Sequence, residues 1–117
     1  MQSTIRRIQH ELAHGALVHR YNPAKAASDG MKGTEGAFGA CSFWLAEALA
    51  RAGHLHEGRF MLEKMLSYSN HVGLYAEEVS STGAALGNYP QAFTHLALIT
   101  ACCNIDSLLN KSRDILL

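Results

Sequence analysis

The alternation of apolar and polar positions along the chain predicts four helices of two kinds. Residues 3–14 and 55–72 each have one apolar face and one charged face, which is typical of amphipathic helices. Residues 38–52 and 89–104 are apolar almost all the way round, so each should be covered on nearly every side. The apolar faces of the two amphipathic helices consist of Ile5, Ile8 and Leu12 in the first and Leu55, Leu62, Met65 and Leu66 in the second. With no convincing strand pattern elsewhere, the predicted fold class is all-α.

The segments between these helices are rich in glycine. Residues 15–37 predict a long loop with a short extended piece at residues 17–21. Before the last helix, the adjacent carboxylates of Glu77 and Glu78 follow an apolar triplet and precede a stretch rich in Ser, Thr and Gly. Functional carboxylates are often presented at the end of an element in this way. Paired glutamates are also common as solvated loop charges, so the spacing alone leaves both interpretations open.

The start of the last helix has a recognisable signal. Asn88 and Gln91 have the spacing of a capping box, and Pro90 between them is tolerated in a first helical turn. This pattern predicts that the helix begins near residue 89.

The predicted helices carry more apolar surface than they can bury among themselves. Hydrophobic residues make up 48% of the chain and charged residues only 17%, which is below the usual charged fraction. Four helices cannot cover two that are apolar on all sides. We therefore expect a partner chain, self-association or further helices of a larger domain to cover this surface.

Length, charge and cysteines limit the function classes. A chain of 117 residues is the size of one domain. Its formal net charge of +0 gives no overall field that would attract nucleic acid or an anionic membrane, and neither partner is expected. No signal peptide or membrane span is expected either, which predicts a cytoplasmic location. The cysteines lie in apolar helical segments and are expected to be buried, reduced thiols. They are Cys41, Cys102 and Cys103.

Two histidine pairs have the spacing of metal ligands. His10-Glu11-Leu12-Ala13-His14 matches HExxH, in which two histidines four apart on a helix bind zinc and the glutamate acts as a base. The helix is expected to stop at Gly15, and no third ligand is evident. His54 and His56 lie where one helix ends and the next begins. Ordinary helix-end positions are the preferred interpretation of both pairs, so no metal and no other cofactor is expected.

Several aromatic and basic residues near the loops are of the types that sugar sites use. Aromatic rings stack on the apolar faces of sugars, and a guanidinium binds hydroxyl groups. Taken singly, each of these residues is more often part of a core. They are Arg20, Tyr21, Phe38, Trp44 and Tyr89.

Four separated blocks of the sequence, in this order, resemble one enzyme family. They are Arg20-Tyr21, EGAFGACSFWLAEAL at residues 35–49, LYAEE at residues 74–78 and GNYPQAFTH at residues 87–95. The arrangement closely resembles the C-terminal part of the catalytic domain of glycoside hydrolase family 15, in its bacterial and archaeal glucoamylase-like and trehalase-like branch. The similarity runs from near residue 4 to about residue 105.

The resemblance implies a fold, a reaction and a set of site residues. It implies that the helices form αα-hairpins of an (α/α)6 toroid, in which outer helices cover inner ones. It implies inverting cleavage of α-glucosidic bonds, with the base in the Ala76-Glu77-Glu78 motif, which identifies Glu77. Arg20 matches a sugar-contacting arginine, and Phe38 matches an aromatic position near the first subsite. The candidate substrate-binding residues are Arg20, Tyr21, Glu35, Phe38 and Glu78.

The same resemblance implies that one catalytic group comes from elsewhere. In the family, the general acid belongs to a segment upstream of the residues present here. Inverting hydrolysis needs two carboxyls about 6.5–9.5 Å apart on opposite sides of the bond, and Glu77 and Glu78 are neighbours on one loop. The chain is therefore expected to be a truncated or split C-terminal part of an α-glucoside hydrolase that is inactive alone.

An alternative from another class is a non-catalytic protein-interaction module. Residues 53–66, GHLHEGRFMLEKML, resemble half of a tetratricopeptide-type helical hairpin. Such a module would bind a peptide without using Glu77.

Overall fold

The computed structural model of the chain describes residues 2–22 and 36–116. This part is mostly helical, as the sequence predicts, with α1 (Gln2–Leu12), α2 (Gly39–Arg51), α3 (Leu55–Leu66) and α4 (Ala92–Leu116). It also contains short strands, and the sequence predicted extended structure at only one of them, within residues 17–21. They are β1 (Ala13–His14), β2 (Leu17–Val18), β3 (Ala37–Phe38), β4 (Glu78–Val79) and β5 (Ala85–Leu86). β1 and β2 form a hairpin, and the other three form an antiparallel sheet in the order β3-β4-β5.

Helix α2 lies at the centre and packs against both α3 and α4. Phe43 is fully buried, and its ring meets that of Tyr75 edge to face with centroids 5.6 Å apart. The prediction that this helix is covered on nearly every side is confirmed for most of its length, with Trp44 as the large apolar exception. Among the described residues, this helix contributes more buried apolar side chains to the core than any other element.

A glycine terminates α2 and turns the chain into α3. Gly53 has a φ of 96° and donates its N–H to the carbonyl of Ala50, while the His54 N–H donates to the carbonyl of Leu49. These two bonds form a Schellman motif, which requires the left-handed conformation that glycine adopts without steric cost. The two helices of the resulting hairpin pack so closely that a Cβ on Gly58 would lie 2.6 Å from the carbonyl oxygen of Ala46.

Helix α3 is shorter than the sequence predicts. It ends at Leu66 rather than near residue 72, and the side chain of Leu66 is 43% exposed, so its predicted place on the apolar face is wrong. Met61 is buried instead, beside Leu62 and Met65. At the helix end the hydroxyl groups of Ser67 and Ser69 donate to the carbonyls of Lys64 and Leu66, and beyond it the Asn70 side-chain oxygen accepts the N–H groups of residues 72 and 74. The predicted i, i+4 pair of Arg59 and Glu63 is confirmed at 3.0 Å.

Helix α4 is longer than predicted and only partly covered. It begins at Ala92 and continues to Leu116, twelve residues beyond the predicted end at Asn104. Its buried positions recur every three or four residues and are Thr94, Ala97, Ala101 and Ile105. On its other side, Phe93, Leu96 and Ile99 are 47%, 61% and 58% exposed. This face carries the uncovered apolar surface that the sequence predicts.

The cysteines are less buried than expected. Cys103 is exposed, so its predicted burial is wrong, and Cys41 and Cys102 are half-buried. Burial raises the pKa of the Cys102 thiol, and the neighbouring Cys103 raises it further. Cys102 and Cys103 are free thiols, as the sequence predicts.

By length and composition alone, residues 92–113 of α4 could cross a membrane. Their most apolar window has a mean hydropathy of 1.4, and 22% of that window is buried. The expectation that no stretch reaches the length of a span is therefore wrong. One such helix is weak support for a membrane protein, because the core helix of a soluble protein passes the same test.

Candidate functional site

Glu77 directly precedes β4, and hydrogen bonds hold its backbone on both sides. Its N–H donates to the carbonyl of Asn88 at 2.9 Å, and its carbonyl accepts the N–H of Gly39 at 3.0 Å. Gly39 is the first residue of α2, and Asn88 belongs to the loop before α4. The two helices with the most apolar sequences therefore meet at the backbone of this glutamate.

The carboxylate of Glu77 lies against the same loop. Its Oε2 accepts the Asn88 N–H at 3.2 Å, and the side chain is half-buried. Gly87 has a φ of 74°, and a Cβ at this position would lie 2.8 Å from Oε2. The loop approaches the carboxylate closely because glycine has no side chain there.

Gln91, just before α4, and the first turn of α4 hold the two residues that precede Glu77. The Gln91 N–H donates to the carbonyl of Tyr75 at 3.0 Å, and the Thr94 hydroxyl donates to the carbonyl of Ala76 at 3.2 Å. The Tyr75 N–H donates to Nε2 of His95 at 3.2 Å. Since Thr94 is buried, the segment of residues 75–77 is fixed to α4 from inside the core.

Three of the candidate sugar-binding residues lie together, and one of them, Phe38, is in the strand that pairs with β4. The guanidinium carbon of Arg20 lies 5.1 Å from the ring centroid of Phe38 and 5.9 Å from that of Tyr21, within the range of cation–π attraction. Phe38 in β3 pairs directly with Glu78 in β4.

The structure thus places five of the six predicted site residues around the β3–β4 pair. These are Arg20, Tyr21, Phe38, Glu77 and Glu78. Glu35 lies outside the described residues. Sequence reasoning missed the roles of Gly87, Thr94 and His95. It also took Asn88 for a helix cap, which is wrong because α4 begins four residues later and both backbone groups of Asn88 bind Glu77.

The HExxH sequence does not lie on one helix. Helix α1 ends at Leu12, and His14 belongs to β1, so the two histidines lack the helical i, i+4 relation that a zinc site of this type needs. Glu11 accepts a hydrogen bond from Arg7 at 2.8 Å. Within residues 2–22 and 36–116, no three His, Cys, Asp or Glu side chains are grouped as metal ligands.

Gly87→Ala is expected to displace the Glu77 carboxylate, whereas Gly83→Ala is not. Both glycines have a positive φ, so each alanine should cost about 1–2 kcal/mol of stability. Only at Gly87 would the new Cβ meet Oε2, because at Gly83 the nearest atom is a Tyr68 ring carbon at 3.7 Å. The 13C shift of the Glu77 carboxyl and the Asn88 amide resonance should move in the first variant only. Equal movement in both would contradict the close contact.

Comparison with known proteins gives a consistent family. The family described as glycosyl hydrolases family 15 matches residues 2–103. The chain is 43% identical over 106 residues to a protein named trehalase from Mycolicibacterium smegmatis, a match that covers 90% of this chain and 16% of that protein. It is 40% identical over 110 residues to a trehalase from Thermoplasma volcanium, covering 92% of this chain and 17% of that protein.

The chain spans about one sixth of the length of these relatives. No solved structure gives a significant match. The family match includes residues 53–66, so the same family accounts for the α2–α3 hairpin that suggested a repeat module. With a family match over most of its length, this chain belongs to glycoside hydrolase family 15.

Proposed function

We propose that this chain is the part of an inverting α-glucoside hydrolase that carries the general base, and that Glu77 is that base. The observation that carries the proposal is the way the carboxylate is held. Its backbone is bound on both sides and Oε2 accepts the Asn88 N–H. Among the described residues, Oε1 has no hydrogen-bond partner, and the side chain is only half-buried. One oxygen is thus fixed while the other remains for a water molecule.

This arrangement suits a general base. The hydrogen bond from the Asn88 N–H fixes the orientation of the carboxylate, which as a general base takes a proton from water. In inverting hydrolysis, the base activates a water on the face of the sugar opposite the bond that breaks. The general acid must then come from a different segment, because Glu78 is adjacent in sequence and inverting carboxyls are about 6.5–9.5 Å apart.

The neighbouring cluster supplies the groups expected of a sugar subsite. Arg20 lies over the ring of Phe38, so its planar guanidinium is held in one orientation from which it can donate to sugar hydroxyls. The ring of Phe38 offers an apolar surface of the kind that stacks on a pyranose. Tyr21 and Glu78 lie beside them, and we include Glu35 in the proposed subsite on the family resemblance.

The relatives named trehalases make trehalose the first α-glucoside to test. We further propose that the helices are αα-hairpins of an (α/α)6 toroid. Further helices, from a partner chain or from a larger domain, would cover the exposed face of α4 formed by Phe93, Leu96 and Ile99. A cytoplasmic location without a membrane partner remains part of the proposal.

The proposal is tested by comparing the 117 residues alone with a chimera. In the chimera, the 106 matched residues of the Mycolicibacterium smegmatis trehalase are replaced by the corresponding residues of this chain. We expect the chimera to hydrolyse trehalose and the 117 residues alone to hydrolyse neither trehalose, maltose nor starch, because an inverting reaction needs both carboxyls.

Two outcomes would contradict this proposal. A chimera that folds and binds trehalose but does not hydrolyse it would show that this chain lacks a competent base. Hydrolysis by the 117 residues alone, lost on Glu77→Ala, would show that the acid lies within them. The interaction-module alternative has no separate support, since the hairpin is not repeated within residues 2–22 and 36–116.

A further inference from the structure

We infer that His95 is a positioning residue for Glu77, and that it acts as the neutral imidazole with its proton on Nδ1. The inference rests on the proposed function, since it concerns how the base is held. His95 lies in the first turn of α4 and is half-buried, and it is separated from Glu77 by eighteen positions in sequence. His95 contacts the backbone of Tyr75, so it acts through the segment of residues 75–77 rather than by touching substrate.

The two ring nitrogens of His95 have partners that allow one tautomer only. Nδ1 lies 2.6 Å from the carbonyl oxygen of Gln91, and a carbonyl can only accept. Nε2 lies 3.2 Å from the backbone nitrogen of Tyr75, whose N–H can only donate. The proton must therefore be on Nδ1 and the lone pair on Nε2. The opposite tautomer would leave two acceptors facing each other and two donors facing each other.

The contact with Tyr75 reaches Glu77 through the backbone of Tyr75 and Ala76. Tyr75 is held at its N–H by His95 and at its carbonyl by the Gln91 N–H. The next carbonyl, that of Ala76, accepts the Thr94 hydroxyl. The imidazole is the outermost of these three contacts and the only one made by a group whose tautomer can change. The imidazole therefore fixes the position of Tyr75, where the segment of residues 75–77 that leads into β4 begins.

The imidazole is held in place by its own packing. Its ring meets the ring of Tyr75 edge to face, with centroids 5.8 Å apart, and Tyr75 in turn meets the buried Phe43. The Tyr75 hydroxyl donates to the carbonyl of Leu66 at the end of α3. Movement of His95 would therefore disturb the junction of α2, α3 and α4 on which Glu77 lies.

The test uses the 117-residue chain and does not depend on catalysis. The first measurement is the 15N shifts of the His95 ring in the unaltered chain at alkaline pH, where a histidine is ordinarily neutral. We expect the signature of the Nδ1–H tautomer. The Nε2–H tautomer would overturn the inference without any variant.

The second measurement compares amide hydrogen exchange in two variants. His95→Phe keeps a ring against Tyr75 but has no acceptor, whereas His95→Gln places a carbonyl oxygen where Nε2 accepts. We expect the Tyr75 and Asn88 amides to exchange about tenfold faster in the phenylalanine variant, from the loss of one hydrogen bond, and to be protected again in the glutamine variant. The Asn88 amide matters because it binds Oε2 of Glu77.

The His19 amide, which donates to Leu12 in the β1–β2 hairpin, serves as the internal control. Equal exchange of the Asn88 amide in both variants, with the His19 amide unchanged, would overturn the inference. If the phenylalanine variant does not fold, the His95 tautomer in the unaltered chain and the amide protection in the glutamine variant still test the inference. Failure of Glu77→Ala to affect the chimera would instead count against the proposed function and leave these exchange results as they are.

Discussion

Glu77→Ala in the trehalase chimera is expected to lower kcat for trehalose by about 10³-fold, the usual effect of removing a general base. KM should change much less, because Glu77 is proposed to act on the attacking water rather than to bind sugar. The steady-state rate of glucose release measures both constants. The expected loss is large because alanine cannot take the proton from the attacking water.

Glu78→Ala is the matched control for this effect. The two glutamates are adjacent, have the same charge and are both half-buried. Glu78 belongs to the β3–β4 pair, opposite Phe38, and is proposed only to line the subsite. Its removal should raise KM more than it lowers kcat. A loss of kcat equal to that of Glu77→Ala would remove the distinction between the two carboxylates.

Phe43→Ala is expected to destabilise the 117-residue chain by about 3–5 kcal/mol, the usual cost of removing a buried phenylalanine ring. The side chain is 0% exposed and packs edge to face on Tyr75. A domain of ordinary stability has only about 5–15 kcal/mol in total, so much of it would be lost. Urea unfolding followed by circular dichroism measures the change.

Phe60→Ala provides the comparison for this prediction. Phe60 is on α3 and is 64% exposed, so its removal should change stability by no more than about 0.5 kcal/mol. Similar losses for the two variants would mean that α2 is not the centre of the core.

The sequence predicted the helices well because their signals are local. The spacing of Ile5, Ile8 and Leu12 identified the packed face of α1, and Gly53 ended α2 as expected. The Arg59–Glu63 pair also followed from helical spacing alone. Such features depend on residues within two turns of each other, so no tertiary contact was needed to predict them.

The boundaries that failed depend on hydrogen bonds that sequence spacing does not show. Helix α3 stops where the hydroxyl groups of Ser67 and Ser69 bind carbonyls of its last turn, and the side chain of Asn70 then holds the turn that follows. Asn88 has the spacing of a capping residue, but the Glu77 carboxylate and backbone bind both of its backbone groups instead. At the end of α3 the competing bonds come from local side chains, whereas at Asn88 a tertiary contact replaced the local signal.

The candidate site was predictable in composition but not in arrangement. The family resemblance identified Glu77 and Arg20 by matching residues. The placement of Arg20 and Phe38 beside β4 depends on the register that sets Phe38 opposite Glu78, which two-residue strands do not encode in any periodic pattern. His95 was missed because a single histidine on an apolar helix has no sequence signal, and its role is visible only from its contact with Tyr75.

Chemical rescue of Glu77→Ala is the most direct test that Glu77 is the base of an inverting reaction. The variant chimera is given α-glucosyl fluoride and sodium azide, since a small anion can occupy the space left by the carboxylate and attack the sugar from the same side. The account predicts azide-dependent release of fluoride with formation of β-glucosyl azide, and no such rescue of Glu78→Ala. Formation of the α-azide, or rescue of Glu78→Ala alone, would contradict it.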